Sequence, residues 1–289
     1  MTDHAERTWT SADGLTLFAR DYAAASGPAR LPVICIHGLT RNSRDFEAVA
    51  PRIAAQGRRV LAIDVRGRGR SDRDPDPLRY NVGVYAGDVI SLMAAAGLAR
   101  AVFVGTSMGG LITMTLAALR PDLIAGAALN DIGPELAPEG LARISGYVGG
   151  ATEMKDWAEA AAYARSINGS ALPHLSDDQW LAFARRTFRE EDGRPVLDYD
   201  PAISQAFKAT PAGTPAPDLW PFFLGLATGR PTLLIRGEAS DLMTAEITSR
   251  MQAAAPHMRQ AAVPGVGHAP MLDEPAAVAA LAAFLAEAP

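Results

Sequence analysis

Ser107 and its neighbours have the residue types and the spacing of a nucleophile turn. Gly105–Thr106–Ser107–Met108–Gly109 fits the pattern G-x-S-x-G, and it lies directly between the apolar run Ala101–Val104 and an apolar helical stretch. A serine on a tight strand-to-helix turn has strained backbone angles and exposes its hydroxyl group. Glycines at positions 105 and 109 avoid side chains that would clash across the turn. The pattern therefore predicts that Ser107 is a nucleophile.

A serine hydroxyl becomes a strong nucleophile only when a base removes its proton, and His268 is the best-placed base. It follows the last predicted strand, Gln260–Val263, and precedes the last predicted helix. A loop in that position lies at the carboxyl end of a parallel sheet, as does the turn at Ser107. We therefore expect His268 to be the base. His37, which ends an early strand, is interpreted as a structural anchor for its loop.

The base in turn needs a carboxylate that fixes its tautomer, and the loop after the predicted strand Thr232–Ile235 is the expected source. That loop contains Glu238 and Asp241. Asp241 is preferred, because its distance from the strand leaves room for the loop to curl towards His268. Glu238 and Asp131, the latter after the strand Ile124–Leu129, remain as alternatives.

A tetrahedral intermediate also requires hydrogen-bond donors for its oxyanion. The backbone N–H of Met108, the residue after the nucleophile, is one predicted donor. The second is expected from the loop after the strand Val33–Ile36, which begins His37–Gly38–Leu39. Gly38 allows the backbone to turn in closely, and the N–H of Leu39 is the predicted donor.

The elements that must position these residues alternate between short apolar runs and helical stretches. Six apolar runs predict strands that are buried on both faces, as in a parallel sheet: Val33–Ile36, Val60–Ile63, Ala101–Val104, Ile124–Leu129, Thr232–Ile235 and Gln260–Val263. Five stretches predict helices: Arg44–Ala55, Tyr85–Ala96, Met108–Leu119, Ala245–Ala254 and Pro275–Ala286. A hairpin of Glu6–Ser11 and Leu15–Tyr22, joined by an Asp-Gly turn, precedes them. The pattern predicts a three-layer α/β domain with a mostly parallel, eight-stranded sheet.

The alternation stops between about Pro134 and Leu224. This segment contains the helical runs Trp157–Ser166 and Asp177–Phe188, and then a proline-rich part. Its prolines are Pro211, Pro215, Pro217 and Pro221. We interpret it as a mostly helical insertion without a strand series, placed above the carboxyl edge of the sheet, where ligands bind in open α/β folds.

Composition excludes several classes of protein. The 27 basic and 32 acidic residues give a net charge of −5, which does not favour binding to nucleic acid or an anionic membrane. The N-terminus, Met1–Ser11, is polar and has no apolar run of signal-peptide length, and no stretch is long enough for a membrane span. The single cysteine, Cys35, lies in an apolar run and is expected to be a buried strand thiol. No metal-site spacing is present, so we expect catalysis without a cofactor. The predicted location is the cytoplasm, and the predicted assembly is a monomer or a homodimer.

Several motifs together resemble the α/β-hydrolase superfamily, over essentially the whole chain. The matching pieces are His37–Gly38, Asp64–Ser71, Gly105–Gly110, Gly237–Asp241 and Gly267–His268. Asp64–Ser71 lacks the pattern of a phosphate-binding loop and is interpreted as a structural loop near the active-site entrance. For the site, the resemblance implies nucleophile Ser107, acid Asp241, base His268 and oxyanion donors Leu39 and Met108. It also implies a core of residues 1–133 and 225–289 and a cap of residues 134–224 that shapes the substrate pocket.

These residues favour a hydrolase that acts on a small-molecule ester or lactone through an acyl-enzyme on Ser107. A serine at the nucleophile position argues against epoxide opening and dehalogenation, for which similar proteins use aspartate. Hydrolysis of carbon–carbon bonds in ring-cleavage products is an alternative, as is a ligand-binding protein on the same fold.

The sequence also offers candidates for the pocket wall. Three methionines lie close in sequence to the proposed catalytic residues: Met108, Met243 and Met271. They are expected either to line the pocket or to pack in the core. Six aromatic residues of the insertion are further candidates: Tyr147, Trp157, Tyr163, Trp180, Phe183 and Phe188. Arg41, soon after the oxyanion loop, is either solvated or a ligand for a substrate carboxylate.

Overall fold

The computed structural model of the protein describes residues 4–25, 28, 30–150, 153–208 and 217–289. Pro211 and Pro215 of the proline-rich part lie outside the described residues.

The strands agree closely with the predicted apolar runs. They are β1 (Ala5–Thr10), β2 (Thr16–Tyr22), β3 (Val33–Ile36), β4 (Val60–Asp64), β5 (Ala101–Thr106), β6 (Ile124–Asn130), β7 (Phe188–Glu191), β8 (Arg194–Leu197), β9 (Thr232–Gly237) and β10 (Arg259–Val263). Eight of them form one sheet in the order β1-β2-β4-β3-β5-β6-β9-β10. The pairs β1–β2 and β2–β4 are antiparallel, and the other pairs are parallel. The predicted mostly parallel, eight-stranded sheet is therefore confirmed.

Helices cover both faces of this sheet. The helices of the described residues are α1 (Ala50–Ala54), α2 (Val82–Ala95), α3 (Met108–Leu119), α4 (Pro138–Tyr147), α5 (Trp157–Asn168), α6 (Asp177–Thr187), α7 (Ile203–Lys208), α8 (Trp220–Ala227), α9 (Ala245–Ala254) and α10 (Pro275–Glu287). Of these, α4 to α7 belong to the insertion and not to the layers on the sheet. Apolar side chains on the two faces of the sheet belong to two separate clusters, which explains why the central strands are apolar at every position.

The helix predicted over Arg44–Ala55 is wrong in its extent. The chain forms a 3₁₀ turn at Ser43–Phe46, and α1 begins only at Ala50. Pro51 lies in the first turn of α1. Because proline has no N–H and disfavours helical backbone in the residue before it, it suits the start of a helix and not its middle.

Between β6 and β9 the chain forms α4 to α8 and also a hairpin of β7 and β8, so the expectation of an insertion without a strand series missed this two-stranded sheet. The hairpin turns at Asp192 and Gly193, which have φ angles of 50° and 75°. An Asp-Gly pair with positive φ at both residues is typical of a two-residue hairpin turn, so the sequence did contain this signal. The division into a core and a cap stays a prediction. α8, at the end of the predicted cap, packs against α3, which covers the sheet.

The loop Asp64–Ser71 joins the insertion to the sheet. Its Gly69 N–H donates to the carbonyl of Asp198 at 2.9 Å, and Arg68 forms a backbone bridge with Tyr199. A Cβ atom on Gly69, whose φ is 55°, would lie 2.2 Å from the Asp64 carboxylate, so only glycine fits. Arg68 is buried and donates through Nε to the carbonyl of Leu39 at 2.9 Å. The loop therefore also supports the predicted oxyanion loop.

His37 also supports the predicted oxyanion loop, at its first residues. The ring is completely buried, and it lies 2.7 Å through Nδ1 from the Gly38 carbonyl and 3.1 Å through Nε2 from the Val65 N–H. These partners require a neutral ring that donates from Nδ1 and accepts at Nε2. Burial lowers the pKa of His37 to about 4. His37 is thus an anchor between two loops.

Arg66 is the most heavily paired buried charge of this region. Its side chain is 1% exposed, and it contacts three carboxylates: Asp88 at 2.5 Å, Asp74 at 2.5 Å and Asp13 at 2.8 Å. These acids come from the first hairpin, from α2 and from the segment between β4 and α2. The guanidinium therefore holds three separate parts of the chain together.

We expect Arg66→Met to lower the free energy of unfolding by about 3–5 kcal/mol, because removal of one partner leaves buried carboxylates unpaired. Urea denaturation measures this change. Arg120→Met removes an exposed ion pair with Asp122 and is the control, because a solvent-exposed pair of this kind contributes little to stability. Equal losses in the two variants would contradict the structural role of Arg66.

His37 should contribute to the pH dependence of stability. Its pKa of about 4 in the folded protein lies below the ordinary value of about 6.5, so the unfolded chain binds the proton more readily. The stabilisation is complete above pH 6.5 and is lost as the pH falls towards 4, by roughly 3 kcal/mol. Urea denaturation across this range should show a smaller loss in His37→Gln, which donates and accepts without titrating. Parallel pH profiles for the two proteins would refute this assignment.

Candidate active site

Ser107 lies on the predicted sharp turn between β5 and α3. Its φ and ψ angles are 50° and −114°, a left-handed conformation that non-glycine residues rarely adopt. A Cβ atom on Gly109 would lie 2.1 Å from the Ile36 carbonyl oxygen, and one on Gly105 would lie 2.5 Å from the Gly109 backbone. Glycine at 109 thus lets the start of α3 pack against β3, and glycine at 105 lets the two sides of the turn come together. The serine hydroxyl is thereby raised above the edge of the sheet.

His268 lies beside this serine, as predicted. Its Nε2 is 2.9 Å from the Ser107 Oγ, and its Nδ1 is 2.7 Å from an Asp131 carboxylate oxygen. A carboxylate only accepts, so Nδ1 carries the proton and Nε2 is free to accept the serine proton. The loop is held by Gly267, whose N–H donates to Ala171 of the insertion at 2.7 Å.

The acid that contacts the histidine is Asp131, and the prediction of Asp241 at this position is wrong. Asp131 is completely buried, with a φ of 55°. Besides His268, its carboxylate accepts the Gly237 N–H at 2.8 Å and the Ser240 hydroxyl at 2.5 Å. Each carboxylate oxygen therefore has a donor from the structure around it, which fixes the orientation of the group.

Asp241 instead forms an ion pair with Arg143 of α4, at 2.5 and 2.9 Å. This hydrogen-bonded pair lowers the pKa of Asp241, and the side chain remains 34% exposed. The Asp241 carbonyl also accepts the Gly140 N–H. Its observed contacts thus fasten α4 above the site. Glu238, the other alternative, is exposed, and its carboxylate is 3.3 Å from the Gly265 N–H.

The position of Asp131 follows from the order of the strands. β6 lies between β5, which carries Ser107, and β9, and Asp131 is the first residue after β6. Its N–H continues the sheet by donating to Ile235 at 2.7 Å. Aspartate is one of the few residues that tolerate a left-handed conformation, because its short side chain bonds locally. The sequence contained one signal for this role: an aspartate directly after a central strand, with a possible hydroxyl donor, Ser240, in the loop after the neighbouring strand.

The two predicted oxyanion donors flank the serine. A Cβ atom on Gly38 would lie 3.9 Å from the Ser107 Cβ, which shows how closely this loop approaches the nucleophile. Met108 is the first residue of α3, where backbone N–H groups have no partner within the helix. Among the described residues, the N–H groups of Leu39 and Met108 have no backbone acceptor.

A cavity of about 100 Å³ opens beside Ser107 and His268. Two of the six predicted aromatic residues, Tyr147 and Phe183, line it. The others pack within the insertion, with Trp180 against Phe183 at 5.4 Å and Tyr163 against Phe188 at 6.1 Å between ring centres. Of the three methionines, Met271 lines the cavity, whereas Met108 and Met243 are buried in the core.

Arg41 also lines the cavity, but its charge is already paired. Its guanidinium binds Asp45 at 2.5 Å and the Thr187 hydroxyl at 2.6 Å, and it stacks over the Phe183 ring at 4.1 Å. Arg41 therefore links the oxyanion loop to α6 and is not a free ligand for a substrate carboxylate.

No group of three or more His, Cys, Asp or Glu side chains within the described ranges is arranged to hold a metal ion. Cys35 is buried in β3, and burial raises the pKa of its thiol. None of the described helices is long and apolar enough to cross a bilayer.

Comparisons with known proteins agree with this architecture. The family described as alpha/beta hydrolase fold matches residues 32–275. The 3-hydroxybutyrate-oligomer hydrolase of Cupriavidus necator is 37% identical, over 86% of this chain and 85% of that protein. The 2-(acetamidomethylene)succinate hydrolase of Mesorhizobium japonicum is 28% identical, over 88% and 85%.

A solved structure is also similar over nearly its full length. The alpha/beta hydrolase of Novosphingobium aromaticivorans superimposes with a TM-score of 0.91 and is 44% identical, covering 99% of each chain. The resemblance inferred from the motifs is thereby confirmed: this chain belongs to the α/β-hydrolase family and is a hydrolase.

Proposed function

We propose that the protein is a serine hydrolase that cleaves a small carboxylic ester through an acyl-enzyme on Ser107. The observation that carries this proposal is the chain of two hydrogen bonds from Ser107 Oγ through His268 to Asp131. A ligand-binding protein on the same fold would not require a base and a buried acid aligned on a serine. The arrangement suits transfer of an acyl group to a serine oxygen.

In the first step the Ser107 Oγ attacks the ester carbonyl carbon, and His268 Nε2 takes the hydroxyl proton. Asp131 stabilises the resulting imidazolium through Nδ1–H. The carbonyl oxygen becomes an oxyanion, for which the N–H groups of Leu39 and Met108 are the proposed donors. The carbon–oxygen bond to the alcohol then breaks, and the alcohol leaves with the proton from His268.

A water molecule completes the reaction by the same chemistry in reverse order. His268 takes one proton from the water, the hydroxide attacks the acyl carbon, and the bond to Ser107 Oγ breaks. The serine recovers its proton from His268, and a carboxylic acid is released. Every proton transfer uses the imidazole, so no cofactor is proposed.

The cavity size supports a short substrate. A volume of about 100 Å³ is well below the roughly 300–1,000 Å³ typical of pockets for drug-sized ligands. A relative that is 37% identical is named a 3-hydroxybutyrate-oligomer hydrolase, and its substrate is an ester of a short hydroxy acid. We propose esters or lactones of short hydroxy acids as the substrate class. The cytoplasmic location and the monomer or homodimer remain predictions.

A fluorophosphonate probe should label the wild-type protein and should fail to label Ser107→Ala, because only an activated serine reacts. Hydrolysis of p-nitrophenyl acetate should fall in that variant by at least about 10³-fold. Ser91→Ala is the matched control, since Ser91 lies on α2 and donates to the Gly87 carbonyl. Equal labelling of the wild type and Ser107→Ala would end the proposal.

The two aspartates can be compared directly. We expect Asp131→Asn to lower kcat by roughly 10⁴-fold, because an amide can hold the imidazole in the wrong tautomer. Asp241→Asn should change kcat by less than about tenfold, because it weakens only a partly exposed ion pair. Steady-state kinetics on one ester measures both. A large loss in Asp241→Asn with near-normal Asp131→Asn would reverse the assignment.

A further inference from the structure

We propose that Arg186 binds a free carboxylate of the substrate and so selects anionic esters. This inference rests on the proposed ester hydrolysis and adds the charge of the substrate to it. It concerns a residue that the sequence did not single out.

Arg186 reaches the cavity from a well-fixed helix. α6 begins with a capping box between Ser176 and Gln179, and its carboxyl end is fastened where the Asn42 side chain donates to the Arg186 carbonyl at 3.0 Å. Phe183 and Arg186 are three residues apart and lie on the same face of the helix. Both line the cavity that contains Ser107 and His268.

The neighbouring Arg185 has a different environment. It is exposed, and its guanidinium lies 4.7 Å from the centre of the Trp157 ring. It does not line the cavity. The two adjacent arginines of α6 therefore differ in whether they line the cavity, and Arg185 is a matched control for Arg186.

The charge of Arg186 is not neutralised by the described part of the protein. No carboxylate within the described ranges pairs with it, whereas the other arginine of the cavity, Arg41, is held by Asp45. The Nε of Arg186 is buried and has no hydrogen-bond acceptor among the described residues. A buried N–H group without an acceptor is unfavourable, so the described protein leaves part of this guanidinium without a hydrogen-bond partner.

A carboxylate is the ligand that fits this group. The planar guanidinium presents a fork of N–H donors that matches the two oxygens of a carboxylate, and it carries the opposite charge. Because Arg186 and Ser107 line one small cavity, few bonds can separate the bound carboxylate from the ester that is cleaved. A dimer of a short hydroxy acid has this arrangement, with one ester bond and one free carboxylate.

Binding tests this inference without turnover. The protein would carry Ser107→Ala, and the two ligands would be the linear dimer of 3-hydroxybutyrate and its methyl ester, which differ only in the charge of the carboxylate. Calorimetry should show that the acid binds at least about tenfold more tightly than the methyl ester, as expected for a charged hydrogen-bonded pair. Adding Arg186→Gln should remove this preference, and adding Arg185→Gln should preserve it.

Turnover separates this inference from the proposed function. With Ser107 intact, Arg186→Gln should raise KM for the acid by about tenfold and should lower kcat/KM for the acid more than kcat/KM for the methyl ester. Arg185→Gln should change neither. Arg186→Lys should recover part of the loss, because it keeps the charge without the fork. Equal kcat/KM for acid and methyl ester in the wild type would overturn the role of Arg186 while ester hydrolysis stands.

Failure of the proposed function has a different signature. The wild type would then hydrolyse neither compound and would resist the fluorophosphonate probe. The calorimetric comparison would still decide whether Arg186 recognises the carboxylate, since equal binding of acid and methyl ester refutes it.

Discussion

The buried carboxylate of Asp131 is the group on which the arrangement of the site depends. A charged carboxylate without water needs donors for both oxygens, and here three parts of the chain supply them: the end of β9, the Ser240 hydroxyl and His268. The same contacts bring the loops after β6, β9 and β10 together at one edge of the sheet. The position of the imidazole beside Ser107 follows from this requirement.

A second buried ionic network supports the opposite side of the serine. Arg66 joins three carboxylates from separate segments, and Arg68 donates to the carbonyl of Leu39. His37, kept neutral by its burial, connects the start of the same loop to Val65. The backbone of Leu39 is consequently held in place from two directions, which is the preorganisation that an oxyanion site requires.

The insertion forms part of the cavity wall, and the arginines in and around the cavity are of two kinds, paired and unpaired. Arg41–Asp45 and Arg143–Asp241 are ion pairs in which the protein neutralises its own arginine. The second pair joins α4 to the loop after β9, and Arg41 contacts α6 by a further hydrogen bond to Thr187. Arg186 has no such partner in the described part of the chain. This contrast separates arginines that hold the structure together from the one that we propose for the ligand.

The sequence alone was sufficient for the sheet, the nucleophile turn and the histidine, because these depend on local signals. Continuous apolar runs mark buried parallel strands, and Gly105 and Gly109 mark a turn that only glycine can make. The Asp-Gly turn of β7 and β8 was equally local. Tertiary structure decided which acid contacts His268 and which arginine is unpaired, since Asp131 and Asp241 both follow strands of the same sheet edge. Asp131 is the acid because it contacts Ser240 and His268, which are more than a hundred positions away in the chain. The spacing of residues along the sequence does not predict such contacts.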